Sequence, residues 1–160
     1  MSNNNQPKQP KQPTQFERIL VPVTGAEADE YAIELACRLS KQDKSDVYAV
    51  YIITMGRNLP LDTENHAEIQ KAEDALGHIE HFARDLSCRV KTDVLQAREA
   101  GPAILDEAAE READLILMGV AYKRRFGEFS LGEVVPYVLK NAACRVILYH
   151  QYTHPSETVS

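Results

Sequence analysis

Four short apolar runs, separated by longer amphipathic stretches, constrain the fold of this 160-residue chain more than any other feature. The runs are nearly continuous and rich in β-branched residues, which is typical of strands buried on both faces of a parallel sheet. They read RILVPV, SDVYAVYIIT, DLILMG and CRVILYH, and they begin at Arg18, Ser45, Asp114 and Cys144. A fifth segment, CRVKTDVLQA, alternates apolar and polar residues and therefore predicts a half-exposed edge strand.

Apolar residues at helical intervals predict four helices between these strands. The first follows Thr24 and Glu27, whose spacing is that of a capping box. The second runs from about residue 67 to 87, Gly101 and Pro102 open the third, and the fourth follows Gly132. Alternating strands and helices imply parallel β-α-β crossovers, hence an α/β fold with a doubly wound sheet and helices on both faces.

Length and composition limit the class of protein. The chain is long enough for one domain, which we place at residues 16–150, between a disordered tail at 1–15 that contains QPKQPKQP and a polar tail at 151–160. With 18 Lys+Arg against 24 Asp+Glu, the net charge of -6 has the wrong sign for general nucleic-acid binding. No apolar run reaches the roughly 20 residues of a membrane span. The N-terminus also lacks the apolar centre of a signal peptide, so we expect a cytoplasmic protein without membrane insertion.

The spacing of the cysteines and histidines does not indicate a metal site or a redox motif. Cys37, Cys88 and Cys144 lie in or beside apolar segments without C-x-x-C spacing, so we expect buried, reduced thiols. His78 and His81 are three residues apart on a predicted helix, but no third ligand has compatible spacing, and no metal site is predicted. The sequence has no G-x-S-x-G elbow or other recognisable catalytic set, which favours a protein that is not an enzyme.

The segment GVAYKRRFGEFSLGE, residues 119–133, is the best candidate for a site, and we interpret it as a loop. Gly119 ends a predicted strand and Gly132 precedes a predicted helix, where backbone N–H groups and the helix dipole favour an anion. Glycines also end strands and begin helices for purely structural reasons, so both interpretations stay open. The cations Lys123, Arg124 and Arg125 could pair with phosphates, or they could form a solvated, salt-bridged surface.

Residues 16–149 resemble the universal stress protein family. The resemblance rests on RILVPVT, on ADLILMG followed by the glycine-bounded loop, and on LKNAACRVILY. Nucleotide-binding members of that family carry G-x-x-G, nine residues, and then G-S or G-T, and Gly119 and Gly132 match the first and last glycines at that spacing. The resemblance implies a five-stranded parallel sheet in the order 3-2-1-4-5, four helices and a Rossmann-like, adenine nucleotide alpha hydrolase-like fold. It also implies a homodimer joined through strand five, from Arg145 to Tyr149.

Three positions depart from the pattern of the family's ATP-binding members. Tyr122 replaces the second glycine, Glu133 replaces the Ser or Thr, and Thr24 stands where those members usually have Asp. An ionised carboxylate only accepts hydrogen bonds and repels phosphate. Glu133 could instead satisfy free N–H groups at the helix start and so fill the anion site from within the protein.

Two functional hypotheses follow. The first is a dimeric regulatory or interaction module with weak or absent ordinary ATP binding, which acts through its surface on an unidentified protein partner. The alternative is a stress sensor that binds ATP or another adenine nucleotide with Mg²⁺ through the loop from Gly119 to Val134; no cofactor is certain. Weak ATP hydrolysis would require such binding, and it stays open although no general base is visible in the sequence. The candidate nucleotide-binding residues are Pro22, Val23, Thr24, Ile52, Met118, Gly119, Ala121, Tyr122, Lys123, Arg124, Arg125, Gly132, Glu133 and Val134.

Overall fold

The computed structural model describes residues 15–120, 123–125, 128–130 and 132–151. Its elements, in chain order, are β1 Arg18–Val23, α1 Ala28–Asp43, β2 Asp46–Thr54, α2 His66–Asp85, β3 Val90–Ala97, α3 Ala100–Glu110, β4 Leu115–Val120, β5 Lys123–Arg125, β6 Glu128–Ser130, α4 Val134–Asn141 and β7 Arg145–His150. The predicted terminal tails lie outside these residues, except for Gln15 and Gln151.

Five of the strands form one parallel sheet in the order β3-β2-β1-β4-β7. Strand β7 is the predicted strand five, because β5 and β6 lie outside this sheet, so the expected fold and the strand order 3-2-1-4-5 are confirmed. Ile19 of β1 pairs with Val47 of β2 on one side and with Leu115 of β4 on the other. The chain therefore winds outwards in opposite directions from β1 and β4. The carboxyl ends of these two strands mark the switch point where ligands of such sheets bind.

Each face of the sheet carries its own apolar core, because successive residues of a strand point to opposite faces. Ile19 belongs to the core beneath α1 and α2, and the adjacent Leu20 belongs to the core beneath α3 and α4. Both side chains are fully buried. Among the described residues, no helix has the length and apolar character needed to cross a membrane.

A short hairpin interrupts the segment that we interpreted as a loop. Strands β5 and β6 pair antiparallel outside the main sheet, with Lys123 opposite Ser130 and Arg125 opposite Glu128. The prediction of a loop is therefore wrong at residues 123–125 and 128–130. Three-residue strands are too short to leave a recognisable period of two in the sequence.

The expectation of three reduced thiols is also wrong. Cys37 in α1 and Cys88, between α2 and β3, form a disulfide with a Cα–Cα distance of 5.7 Å, whereas Cys144 is a free, half-buried thiol. The two partners are 51 residues apart in the chain. Spacing could not predict the pair, because their approach depends on how α1 packs against the connection from α2 to β3.

Candidate functional site

A cleft of about 400 Å³ opens where β1 and β4 end, and its volume falls within the range of small-molecule sites. Eight of the fourteen residues predicted from the sequence line it, namely Pro22, Val23, Thr24, Ile52, Met118, Gly119, Gly132 and Val134. The structure adds five further lining residues, which are Val50, Ala100, Ile104, Val120 and Val135. The cleft thus lies where the strand order predicts a ligand.

The lining of the cleft is almost entirely apolar. Among the described lining residues, Thr24 has the only polar side chain, and no side chain carries a charge. Such a surface suits a flat, weakly polar ring, which can be oriented by backbone N–H and C=O groups at the strand ends. The arrangement is suited to binding a nucleobase or a similar ring.

Helix α3 supplies part of the wall that sequence reasoning missed. Ile104 is buried and belongs to the apolar pattern of this helix, whereas Ala100, at its start, has no sequence signal that points to a site. The apolar pattern shows that a helix face is buried. Only the position of α3 beside the carboxyl end of the sheet shows that the same face reaches a ligand cleft.

The two glycines that bound the predicted phosphate loop have different structural roles. A Cβ at position 119 would clash with the backbone carbonyl of Ala28, so Gly119 permits the start of α1 to approach β4. Gly132 has a φ of +72° and open space around its Cα, so its role is the left-handed turn that leads into α4. Close packing accounts for Gly119 without any reference to phosphate.

Asp29 holds the connection from β1 to α1, which forms one wall of the cleft. Its carboxylate is only 4% exposed and accepts hydrogen bonds from the N–H groups of Thr24, at 3.2 and 3.0 Å, and Gly25, at 2.7 Å. Burial raises the pKa of Asp29, the N–H groups of Gly25, Thr24 and Ala26 oppose that rise, and the charge of Glu30 adds to it. A buried carboxylate therefore holds the backbone of Thr24 in place in the wall of the cleft.

The predicted capping box at this connection does not form. Glu27 occupies the N-cap position of α1 with a helical backbone and makes no capping hydrogen bond with its side chain. The reason is that Asp29, in the first turn, folds back onto the N–H groups of Thr24 and Gly25. The carboxylate of Asp29, two residues after Glu27, therefore accepts the hydrogen bond from the Thr24 N–H that the capping box assigns to Glu27.

Glu133 lies beside the cleft rather than in it. It is the exposed N-cap residue of α4, its side chain makes no capping hydrogen bond, and it lines a neighbouring groove with Arg98. The groove and the cleft share Ala100 and Val134, so the two are adjacent. The hypothesis that the Glu133 carboxylate satisfies the N–H groups of the helix start is therefore wrong.

Nucleotide binding stays a prediction for all fourteen residues, and five of them do not appear in the described lining of either the cleft or the groove. Ala121 and Tyr122 lie outside the described residues. Lys123, Arg124 and Arg125 form β5, and their pairing with phosphate remains a prediction.

The histidines of α2 contact nearby carboxylates. His78 Nε2 lies 2.5 Å from Glu30 Oε1 of α1, and His81 Nε2 lies 3.9 Å from Asp85 Oδ2. Within the described part of the chain, no group of three or more His, Cys, Asp or Glu residues is arranged to hold a metal ion.

The sheet order and the position of the cleft define a doubly wound α/β protein with an apolar cleft at its switch point. Residues 15–150 match the Universal stress protein family, and the chain belongs to that family. A universal stress protein of Methanocaldococcus jannaschii is 27% identical over 139 residues, which are 83% of this chain and 81% of that relative.

Solved structures share the fold at lower sequence identity. A universal stress protein from Archaeoglobus fulgidus superposes with a TM-score of 0.71 at 22% identity, covering 82% of this chain and 97% of the other. A structure of the universal stress protein from the same organism in complex with dAMP gives a TM-score of 0.66 at 22% identity, covering 82% and 96%.

Proposed function

We propose that this universal stress protein is a cytoplasmic regulatory protein whose cleft binds the adenosine part of an adenine nucleotide, while ordinary MgATP binds weakly. The observation that carries the proposal is the open, apolar cleft of about 400 Å³ at the ends of β1 and β4. The complex of the Archaeoglobus fulgidus protein with dAMP supports an adenine ligand in a protein of the same fold.

The start of α4 explains why additional phosphates should contribute little. A helix N-terminus favours an anion through its free N–H groups and its dipole. Here the exposed carboxylate of Glu133 stands at that N-terminus, in the groove adjacent to the cleft. Because each added phosphate increases the negative charge of the ligand, repulsion from Glu133 offsets part of the attraction of the helix.

We assign the cleft to binding rather than to turnover. Thr24 offers a hydroxyl, and no other polar side chain lines the cleft among the described residues. A hydroxyl alone does not act as a general base toward water.

The test is calorimetric titration of the protein after any bound nucleotide has been removed and its absence checked on a denatured sample. We expect adenosine and AMP to bind within about tenfold of each other, because the adenosine part supplies most of the contacts. ATP with Mg²⁺ should bind no more tightly than AMP. Ala100→Leu, which narrows the cleft, should weaken all three ligands.

The charge argument has a matched pair of variants. Glu133→Ser should increase ATP affinity a few-fold relative to AMP, a modest effect because the carboxylate is exposed and screened. Glu110→Ser makes the same change at an exposed position in the last turn of α3, which lines neither the cleft nor the groove, and should leave the ratio of the two affinities unchanged. If no adenosine compound binds at millimolar concentration, the proposed ligand is wrong.

A dimeric interaction module is the second candidate function, and the edge of the sheet favours it. Strand β7 is the last strand on its side, and its residues from Arg145 to Tyr149 are all half-buried rather than fully covered. A semi-apolar edge of this kind suits pairing with a second copy of the chain or with another protein.

A further inference from the structure

The Cys37–Cys88 disulfide joins a fully buried cysteine to a half-buried one at the surface. Cys37 is 1% exposed and lies in the core between α1 and the sheet, whereas Cys88 is half-buried and lines a surface hollow. The hollow has a volume of about 410 Å³ and is shaped by Glu80, Arg84, Ser87, Cys88, Arg89 and Val90. Within the described part of the chain, the approach for a small molecule is therefore from the side of Cys88.

The hollow carries a net positive charge. Arg84 and Arg89 are both exposed at its rim, on either side of Cys88 in the sequence. Glu80 supplies the single negative charge among the lining residues, and its carboxylate accepts a hydrogen bond from the Thr92 hydroxyl. Two guanidinium groups against one carboxylate favour the approach of an anionic reagent.

We propose that Cys37 and Cys88 form a thiol–disulfide exchange site for small anionic thiols of the glutathione type. Cys88 is the sulfur that bonds to the small thiol, and Cys37 is the resolving sulfur. The proposal is independent of nucleotide binding, because the cleft and the hollow share no lining residue.

The exchange balances in two steps. The thiolate of the small thiol attacks Cys88 Sγ, the bond between Cys37 and Cys88 breaks, and Cys37 leaves as a thiolate that takes a proton from solvent. A second small thiolate then attacks the sulfur of the first in the mixed disulfide and releases Cys88 as a thiolate. Two small thiols have lost two electrons to the protein disulfide, and oxidised small-molecule disulfide reverses both steps.

Cys144 provides an internal control. It is a half-buried thiol that packs against the other core, beneath α3 and α4. Burial raises its pKa, with a further rise from the charge of Asp114. Because the thiolate is the reactive form, Cys144 should exchange more slowly than Cys88.

The experiment uses the full chain equilibrated with mixtures of reduced and oxidised glutathione, quenched in acid, alkylated and mapped by mass spectrometry. We expect oxidising mixtures to protect Cys37 and Cys88 together, and intermediate mixtures to place glutathione on Cys88. Cys37→Ala should trap the adduct on Cys88, whereas Cys88→Ala should leave Cys37 without one. Three alkylatable thiols in the oxidising mixture, or an adduct on Cys37, would overturn the proposal.

The charge of the hollow is tested by rates on the otherwise native chain. Arg84→Gln with Arg89→Gln should slow reduction by glutathione a few-fold at low salt and leave reduction by the neutral 2-mercaptoethanol unchanged. If the rate of reduction by glutathione relative to 2-mercaptoethanol is the same in the double variant as in the wild type, the role of the arginines is contradicted. The oxidised form should also melt on the order of 10 °C higher, because the bond closes a loop of 51 residues.

Discussion

At the scale of single residues, the chemistry of the buried Asp29 carboxylate depends on its surroundings. It orders the backbone of Thr24 and Gly25, which forms one wall of the cleft, and it lies almost out of contact with water. Burial disfavours its charged form, so the pKa of Asp29 in the folded protein lies above its ordinary value of 3.8.

The raised pKa predicts how stability changes with pH. Below about pH 4 the carboxyl is protonated in both the folded and the unfolded chain. As the pH rises from the pKa of the unfolded chain through the higher pKa of the folded protein, the carboxyl ionises more readily in the unfolded chain. Ionisation therefore stabilises the unfolded state more than the folded state. The free energy of unfolding should then fall relative to Asp29→Asn, which does not titrate, by about 1.4 kcal/mol for each unit of pKa difference.

Urea unfolding of the two proteins between pH 3.5 and 7 measures this difference. The comparison cancels the titration of the other carboxylates, because both proteins share them. A difference that stays flat, or that grows in favour of the wild type as pH rises, would show that the N–H groups of Thr24 and Gly25 outweigh burial.

At the scale of elements, the contact between α1 and β4 depends on one missing side chain. A Cβ at Gly119 would meet the carbonyl of Ala28, which belongs to the rigid first turn of α1. We expect Gly119→Ala to destabilise the protein by about 2–3 kcal/mol, because helix and strand must separate. The shift should also weaken adenosine binding, since Gly119 lines the cleft.

Gly77 offers a matched control for the same substitution. It lies in the middle of α2, it is exposed, and a Cβ there would meet no atom within 4 Å. Gly77→Ala should therefore stabilise the protein by about 0.5–1 kcal/mol through helix propensity. Thermal and urea unfolding measure the stability of both variants. If Gly119→Ala is as stable as the wild type, the packing argument is contradicted.

At the scale of the whole molecule, the two edges of the sheet differ in their suitability for assembly. Strand β3 forms one edge and exposes the charged residues Lys91 and Asp93, which discourage edge-to-edge pairing. Strand β7 forms the other edge, where Val146, Ile147 and Leu148 are half-buried. The asymmetry favours association through β7.

Sedimentation equilibrium at micromolar concentration should give twice the 18.0 kDa mass of the chain. Ile147→Lys in β7 should shift the equilibrium toward the monomer. Val94→Lys in β3 is the matched control, because both side chains are half-buried and pack against the same core. Monomeric mass for the wild type, or equal effects of the two substitutions, would count against pairing through β7.

Much of the fold could be predicted because a buried parallel strand and an amphipathic helix leave different periods in the sequence. The resemblance to universal stress proteins supplied the strand order, and that order predicted the cleft that Pro22, Thr24 and Met118 line. The hairpin of β5 and β6 was missed because three residues show no period. The capping role of Asp29 was missed because Thr24 and Glu27 have the spacing of a different cap.

The sequence by itself determined the class of fold, since burial on two faces of a sheet requires continuous apolar runs, and these are visible residue by residue. Tertiary structure alone decided which distant groups meet. The packing of α1 brings Cys37 to Cys88 and the carbonyl of Ala28 against Gly119. Contacts of this kind depend on how helices pack in space, and no local pattern in the chain encodes them.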